Sequence, residues 1–546
     1  MTDHAGLEEP AELEPDQGSL DLASPDDTWT AADWEAQAAA VLRKARRMTD
    51  EDPDDLVWKK LTRTTLDGIP VTPLGTHSLL DGLETSGRPT RSGDWDVRAR
   101  VDGSDAKRAN EEALVDLDGG VTSLWLTGAT DYAVALKDVL LDLAPVVLDG
   151  GDPQAFLAYA EGRELHPETN LGVPAADATA DLARQALERG IRAFVVDASA
   201  IHDRGASDVQ ELGWSMAAAA AYLRTLTGAG LSVAEAAGLV EFRYAATDEQ
   251  FTTIAKLRAA RRLWTRVLEL SDGSGEMRLH AVTSRPMMTK YDPWVNMLRT
   301  TVAAFAAGVG GADSVTVVPF DSPLGRPDAF GRRIARNTSH LLIDEAHVAH
   351  VADPAGGSYA VEKLTDDLAR AAWATFGRLD DGADLDAEIE KVVAERERQV
   401  ATRKRPITGL TEFPNLGETL PVRDGEPDDV RRYGASFEAL RDAPPASPVH
   451  LATLGTVAQH TARATFATNL LAAGGIAVSA EPARVACVAG TDAAYDEQGA
   501  ETAAQLRANG AEWVIVAGQP RDWADDSCAM GVDALDFLTR TREKLA

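Results

Sequence analysis

Short apolar runs alternate along the chain with longer stretches whose apolar residues recur at helical spacing. The runs Val121–Leu126, Val146–Leu148, Ala193–Val196, Val240–Tyr244, Arg278–Thr283, Val315–Pro319 and His347–Ala352 read as strands. Most lack a polar alternation, as parallel strands covered on both faces do, and Val240–Tyr244 is the one that alternates. Between them lie amphipathic stretches such as Phe251–Leu268, where Ile254, Leu257, Trp264, Val267 and Leu268 form one stripe. Seven such units predict a (β/α)8 barrel with one strand unrecognised, and an open doubly wound sheet is the alternative.

The flanks differ. Upstream, Thr30 and Asp33 form a capping-box-like start for a helix carrying Trp34, Ala38, Val41 and Leu42, and Arg43, Lys44, Arg46 and Arg47 load its end, where the dipole favours cations. From about Asp384 the rhythm breaks into a charged helix, Glu388–Arg403, and then a stretch holding Pro406, Pro414, Pro421, Pro427, Pro444, Pro445 and Pro448. This is too long for an ordinary loop and is predicted to lie along another surface. Beyond it come strands Val449–Leu454, Ile476–Ser479, Val485–Ala489 and Trp513–Ala517, with helices Ala458–Ala473, Tyr495–Ala508 and Asp533–Lys544. They form a second, smaller doubly wound domain. The division expected is an acidic arm and first helix in 1–55, a barrel domain in 56–383, a linker in 384–447 and the second domain in 448–546. There is no internal repeat.

Charge narrows the function. With 54 Lys and Arg against 87 Asp and Glu, the 546-residue chain carries −33, which argues against a nucleic-acid coat or an anionic-membrane binder. Up to Asp27 it has Glu8, Glu9, Glu12, Glu14 and Asp16 but no Lys or Arg, a composition expected of a disordered or partner-ordered arm rather than a targeting peptide. No apolar run approaches the roughly 18 residues of a membrane span. The two cysteines, Cys487 and Cys528, read as buried small hydrophobes of a reducing compartment, so a cytoplasmic protein is expected.

Two clusters invite a chemical reading and lose it. Gly308, Gly310 and Gly311 precede a strand, the reverse of a dinucleotide fingerprint, and read as a helix end. His340, His347 and His350 with Asp344 and Glu345 resemble a metal cluster. In a strand, however, His347 and His350 would point to opposite faces, which favours a structural role.

Several segments resemble the methylmalonyl-CoA mutase family. They are Trp58–Thr62 with Thr65–Leu74, Lys256–Arg261 with Leu263-Trp264, and Tyr291–Thr301 leading to Gly310–Ser314. The most specific is Arg333-Ile334-Ala335-Arg336-Asn337-Thr338, followed by Asp353–Tyr359 and Val361–Leu364. The resemblance implies a TIM barrel followed by a flavodoxin-like, cobalamin-binding type of domain, with adenosylcobalamin between the two and acyl-CoA along the barrel axis.

The groups that this chemistry uses are missing. The family's Asp-x-His-x-x-Gly turn, whose His ligates cobalt and whose Asp orients it, falls on Leu454–Arg463. There the three positions become Val457, Gln459 and Ala462, or, one residue on, Ala458, His460 and Arg463. The second domain is therefore expected to be a degenerate version of the fold. The family's Tyr-His pair becomes Ile201-His202 before Gly205-Ala206, and His202 is either a remnant of it or an ordinary loop histidine. The stretch Pro89–Arg98 keeps Trp95 and Arg98 but lacks the family's tyrosine.

The resemblance therefore implies the small, non-catalytic subunit of a heterodimeric methylmalonyl-CoA mutase, with no catalytic, cofactor-binding or metal-ligating residue on this chain. Adenosylcobalamin and acyl-CoA would sit on a large catalytic subunit, the partner. The alternative is an active cobalamin-dependent acyl-CoA mutase with a diverged cofactor turn centred on His460. A recruiting or chaperone-like protein is the third reading.

Overall fold

The computed structural model describes residues 28–83 and 88–546, so the acidic arm up to Asp27 lies outside the described residues. The chain divides into two compact units: one runs to Thr64 and adds Pro70–Leu74, and the other holds Thr65–Ile69 and Gly75–Ala546.

In the first unit the helix Ala31–Lys44 starts at the predicted capping box, with Thr30 and Asp33 satisfying each other's backbone N–H. It packs through Ala39 and Leu42 against Met48 and against Val57 of the helix Leu56–Leu61. Trp34 and Trp58 lie 4.5 Å apart, and Trp58 donates to Glu35. A two-stranded antiparallel hairpin, β1 (Arg63–Thr64) and β2 (Pro70–Val71), completes it.

The second unit contains the predicted barrel, a closed ring of eight parallel strands. They are β3 (Asp96–Asp102), β4 (Ser123–Thr127), β5 (Val146–Asp149), β6 (Asn170–Pro174), β7 (Arg192–Asp197), β8 (Val240–Ala246), β9 (Arg278–Thr283) and β10 (Ser314–Thr316). Six of the seven predicted runs are strands. The seventh is not: His347 takes a left-handed conformation (φ 52°) and Val348–His350 is a 3-10 turn. The His347 and His350 rings stack 4.5 Å apart, so they do not point to opposite faces.

Two strands escaped the pattern for physical reasons. β3 reads Asp-Val-Arg-Ala-Arg-Val-Asp, and its Arg98 is buried in the barrel interior rather than turned to water. β6 is broken by a bulge between Asn170 and Val173. Gly172 (φ 67°) turns back there, its N–H donates to Asn170 Oδ1, and a Cβ at this position would fall 1.7 Å from the Leu148 carbonyl oxygen.

The helix Val295–Val309 ends as expected at the glycines. Gly311 is left-handed (φ 80°), and Gly308 gives room to the Trp95 ring.

The C-terminal sheet is parallel, ordered β12-β11-β13-β14-β15, with β11 (Val449–Thr453), β12 (Val478–Ser479), β13 (Val485–Ala489), β14 (Trp513–Ala517) and β15 (Asp526–Cys528). This is the flavodoxin-like order. β15 is too short and polar to be seen in the sequence. Both cysteines are free and buried in this sheet. No described helix is long and apolar enough to cross a membrane.

Gly172→Ala should destabilise the chain by about 3 kcal/mol or more, combining left-handed strain with a clash against backbone. A urea titration followed by circular dichroism checks this; Gly162→Ala, also left-handed (φ 71°) but with open space around it, serves as the control.

Candidate functional site

The expected chemistry has two places to be, the interior and C-terminal mouth of the barrel and the C-terminal edge of the second sheet. The barrel interior is full of ionised side chains. Arg98 on β3 reaches across to Glu241 on β8, donating to both carboxylate oxygens at 2.9 and 3.0 Å, and the two are 2% and 0% exposed. Asp96 and Ser123 accept the remaining Arg98 protons. One layer up, Arg243 on β8 pairs with Asp197 at 2.8 Å and Asp149 at 3.2 Å and lies over the Trp125 ring. His280 joins the layers. Its pKa is driven far down by burial and by Arg98, Arg243 and Arg278. The neutral ring accepts from Arg243 Nε at Nδ1, leaving Nε2 to donate to Thr316 Oγ1 at 2.8 Å.

The mouth is covered by the chain's own linker. Residues 423–433 cross the loops that follow the barrel strands. Arg423 pairs with Asp321, Arg326 N–H donates to the Asp424 carbonyl, and Arg431 N–H donates to the Asp203 carbonyl. Asp428 places its carboxylate 2.6 Å from Arg100 and 3.5 Å from Arg285. Burial works to raise its pKa, and the two guanidinium groups outweigh this and hold it low. In barrels of this type the C-terminal face is where active sites are built. Here it presents a carboxylate already seated between two arginines.

His202 lies under the same strap, buried. Its Nε2 is 2.7 Å from Ser284 Oγ and 3.3 Å from the hydroxyl of Tyr433, a linker residue. Its Nδ1 has no hydrogen-bond partner, with the Glu211 carboxylate 3.6 Å away. Glu211 is committed elsewhere, to the Ala245 N–H and to Lys256 Nζ at 2.7 Å. Burial opposes the charge on Lys256, yet Asp208 and Glu211 together hold its ammonium above the ordinary range. Arg396 stacks on Tyr433 and donates to the Gly205 and Ala206 carbonyls. His202 thus belongs to a packed polar knot that fastens the linker. Tyr433 and Asp428 were not singled out from sequence, and Lys256 entered only as part of the family-like run Lys256–Arg261; the available signal was ionisable residues falling on an apolar helix stripe and within the linker.

In the second domain, Thr456 caps the helix Val457–Ala473, and the Gln459 side-chain oxygen accepts from the Thr456 N–H at 2.7 Å. Gln459, which takes the axial-histidine position in the first of the two registers, is therefore part of a capping box. Val457, at the aspartate position, is 73% exposed. His460, one residue on, has an unpartnered Nδ1 and no carboxylate bonded to it. Arg463 lies across the crevice. It donates to the Gly490 carbonyl at 2.9 Å and to both Asp492 oxygens, beside the Tyr495 ring and against Gly518. Doubly wound folds bind ligands where neighbouring strands diverge, and here that point, between β11 and β13, is bridged by a guanidinium. In neither register does this turn hold the Asp, His and Gly of the family's cobalamin signature. Among the described residues no group of three or more His, Cys, Asp or Glu could hold a metal ion.

Fold and site define a two-domain α/β protein, a (β/α)8 barrel followed by a flavodoxin-like domain, with ionic side chains filling the first and a self-capped helix at the ligand edge of the second. Residues 176–483 match the family described as methylmalonyl-CoA mutase. The chain belongs to this family. It is 42% identical to the methylmalonyl-CoA mutase small subunit of Streptomyces virginiae, over 97% of this chain and 99% of the relative. It is 39% identical to the probable methylmalonyl-CoA mutase small subunit of Mycobacterium bovis, over 90% and 93%. Against the methylmalonyl-CoA mutase small subunit of Propionibacterium freudenreichii subsp. shermanii the identity is 33%, over 96% of each.

Two outcomes follow. Glu241→Ala should destabilise the fold by about 3 kcal/mol, because it strands a buried guanidinium, whereas Arg98→Met with Glu241→Leu should stay within about 1 kcal/mol of the wild type; chemical denaturation of all three checks it. Asp67, partly buried beside Ser207, has its pKa raised by burial from 3.8 to about 6. Between about pH 4 and pH 6 the folded state therefore binds more protons than the unfolded one, and this group's contribution falls as pH rises. Asp67→Asn should match the wild type near pH 4 and exceed it by about 2 kcal/mol near pH 7, read as the difference between two pH–stability profiles.

Proposed function

We propose that this chain is the small, non-catalytic subunit of a heterodimeric, adenosylcobalamin-dependent methylmalonyl-CoA mutase that works in the cytoplasm. A large subunit would carry cobalamin and acyl-CoA and interconvert methylmalonyl-CoA and succinyl-CoA. The observation that carries this reading is the Thr456–Gln459 capping box. The side chain standing at the cobalt-ligand position already satisfies its own helix, and Arg463 occupies the space beside it. The ionic filling of the barrel adds support, since a chain of acyl-CoA along the axis would have to displace Arg98 and Glu241 from each other. The small-subunit names of the relatives agree. The contribution of this chain to activity is then mechanical: it stabilises the large subunit and holds its two domains in a productive arrangement.

The test is direct. The isolated full chain is incubated with adenosylcobalamin, freed of unbound cofactor by gel filtration and examined by its visible spectrum. It should be colourless and should form a one-to-one complex with a large mutase chain that is itself coloured. A stoichiometric cobalamin band on the isolated chain overturns the reading in favour of an active mutase with a diverged turn, which His460→Ala would then bleach. Failure to form the complex overturns the subunit role.

A further inference from the structure

Three successive outer helices begin at one sector of the barrel's C-terminal rim. Gln250–Leu270 follows β8, Val295–Val309 follows β9 and Ala329–His340 follows β10, and these three strands are neighbours in the ring. Each helix opens on an aromatic residue exposed to solvent: Phe251 in the first, the N-cap Trp294 in the second and Phe330 in the third. Trp294 and Phe330 flank the buried Phe320, whose ring lies 5.0 Å from one and 6.0 Å from the other. Leu298, one turn beyond Trp294, shares its face and is exposed too.

The linker joins this sector. Arg405 pairs with Glu249 at 2.8 Å, the Thr408 carbonyl accepts from Arg299, and Glu418 accepts from the Asp292 N–H. Between these ties the linker exposes Phe413 and Leu416. Phe413 is left-handed (φ 56°), an uncommon conformation for a bulky residue.

Single apolar residues on a surface carry no message, but six aromatic side chains are exposed among the described residues, and four of them stand here. Phe251, Trp294, Phe330 and Phe413 are 63, 49, 41 and 73% exposed. At about 150–250 Å2 for a whole aromatic side chain, they leave roughly 450 Å2 in water. Leu298 and Leu416 bring this to roughly 650 Å2, near the about 800 Å2 that each partner of a stable complex buries. Arg333, 5.4 Å from the centroid of the Phe330 ring, adds the kind of cation that interfaces favour. A second copy of this chain also carries −33, and like charge opposes self-association. We propose that this aromatic sector of the rim is the surface that docks the large mutase subunit, which seats Trp294 and Phe413 in apolar pockets. The inference rests on the subunit reading above and adds to it the face through which the two chains meet.

Hydroxyl-radical footprinting of the full chain, free and in complex with the large subunit, tests it. The expected result is ready oxidation of Trp294 and Phe413 in the free chain and at least fivefold slower oxidation of both in the complex. Trp294→Ala and Phe413→Ala should each weaken the complex tenfold or more. Leu143→Ala, at a residue 66% exposed just ahead of β5 and so at the other end of the barrel, should bind as the wild type does. Should Trp294→Ala fail to fold, Phe413→Ala carries the test. A wild-type chain that forms no complex overturns the subunit reading and this inference with it. A complex in which both residues oxidise as in the free chain, or whose affinity neither variant changes, overturns the docking surface alone. Protection of both residues in the free chain also overturns it, in favour of a second copy where the chain sediments as a dimer and of its own acidic arm where it sediments as a monomer.

Discussion

The Arg98–Glu241 pair sets the terms for the rest of the barrel. Two ions cannot be taken out of water unless every lone pair and proton left over is also met, and this requirement propagates outwards. Asp96 and Ser123 take the spare guanidinium protons. His280 is kept neutral so that it can accept from Arg243 and donate to Thr316. Arg243 in turn needs Asp149 and Asp197. The outer faces of the same strands are apolar and pack on helices, as Phe242 does on Trp264. The barrel is thus polar inside and oily outside, and its axis is occupied by interactions that are expensive to break.

The linker follows the same logic one level up. Residues 423–433, with one proline at Pro427, form no strand and are held by side chains and by isolated backbone bonds to the loops they cross. Asp428 between Arg100 and Arg285, and Tyr433 between His202 and Arg396, are its two anchors. Both are charge-assisted or aromatic contacts made in the shelter of the barrel mouth, where a water-exposed ion pair would be worth little.

Much of the fold was legible because it rests on periodicity. The helix predicted over Phe251–Leu268 forms at Gln250–Leu270, and the second sheet needed only one short strand added. What could not be read was where burial reverses the usual meaning of charge. Alternation in Val240–Tyr244 looks like a strand with one wet face, yet Glu241 and Arg243 are as buried as Phe242. The same reversal hid β3, and the Gly172 bulge hid β6. At the candidate site the absences were plain in the sequence: no Asp, His, Gly signature, and no tyrosine before Trp95. What fills the gaps was not, because a cap and a bridging arginine are relations between residues brought together by folding.

That distinction bears on how the two sites are understood. A site that had merely lost its ligands would retain the shape of its former occupant, with glycine-lined approaches and unpaired polar groups facing the vacancy. In the crevice between β11 and β13 the His460 Nδ1 is unpartnered and Gly490 and Gly518 border Arg463, but the Gln459 and Arg463 side chains are engaged by their own chain. Gln459 is satisfied by its own helix start, Arg463 by Gly490 and Asp492, and Arg98 on the barrel axis by Glu241 and Asp96. Putting back a family residue at position 459 or 463 would first have to break a formed interaction. Returning histidine to position 459 would forfeit the cap, and glycine at 463 would release Asp492. The crevice and the barrel axis are thus both bridged by interactions among this chain's own residues.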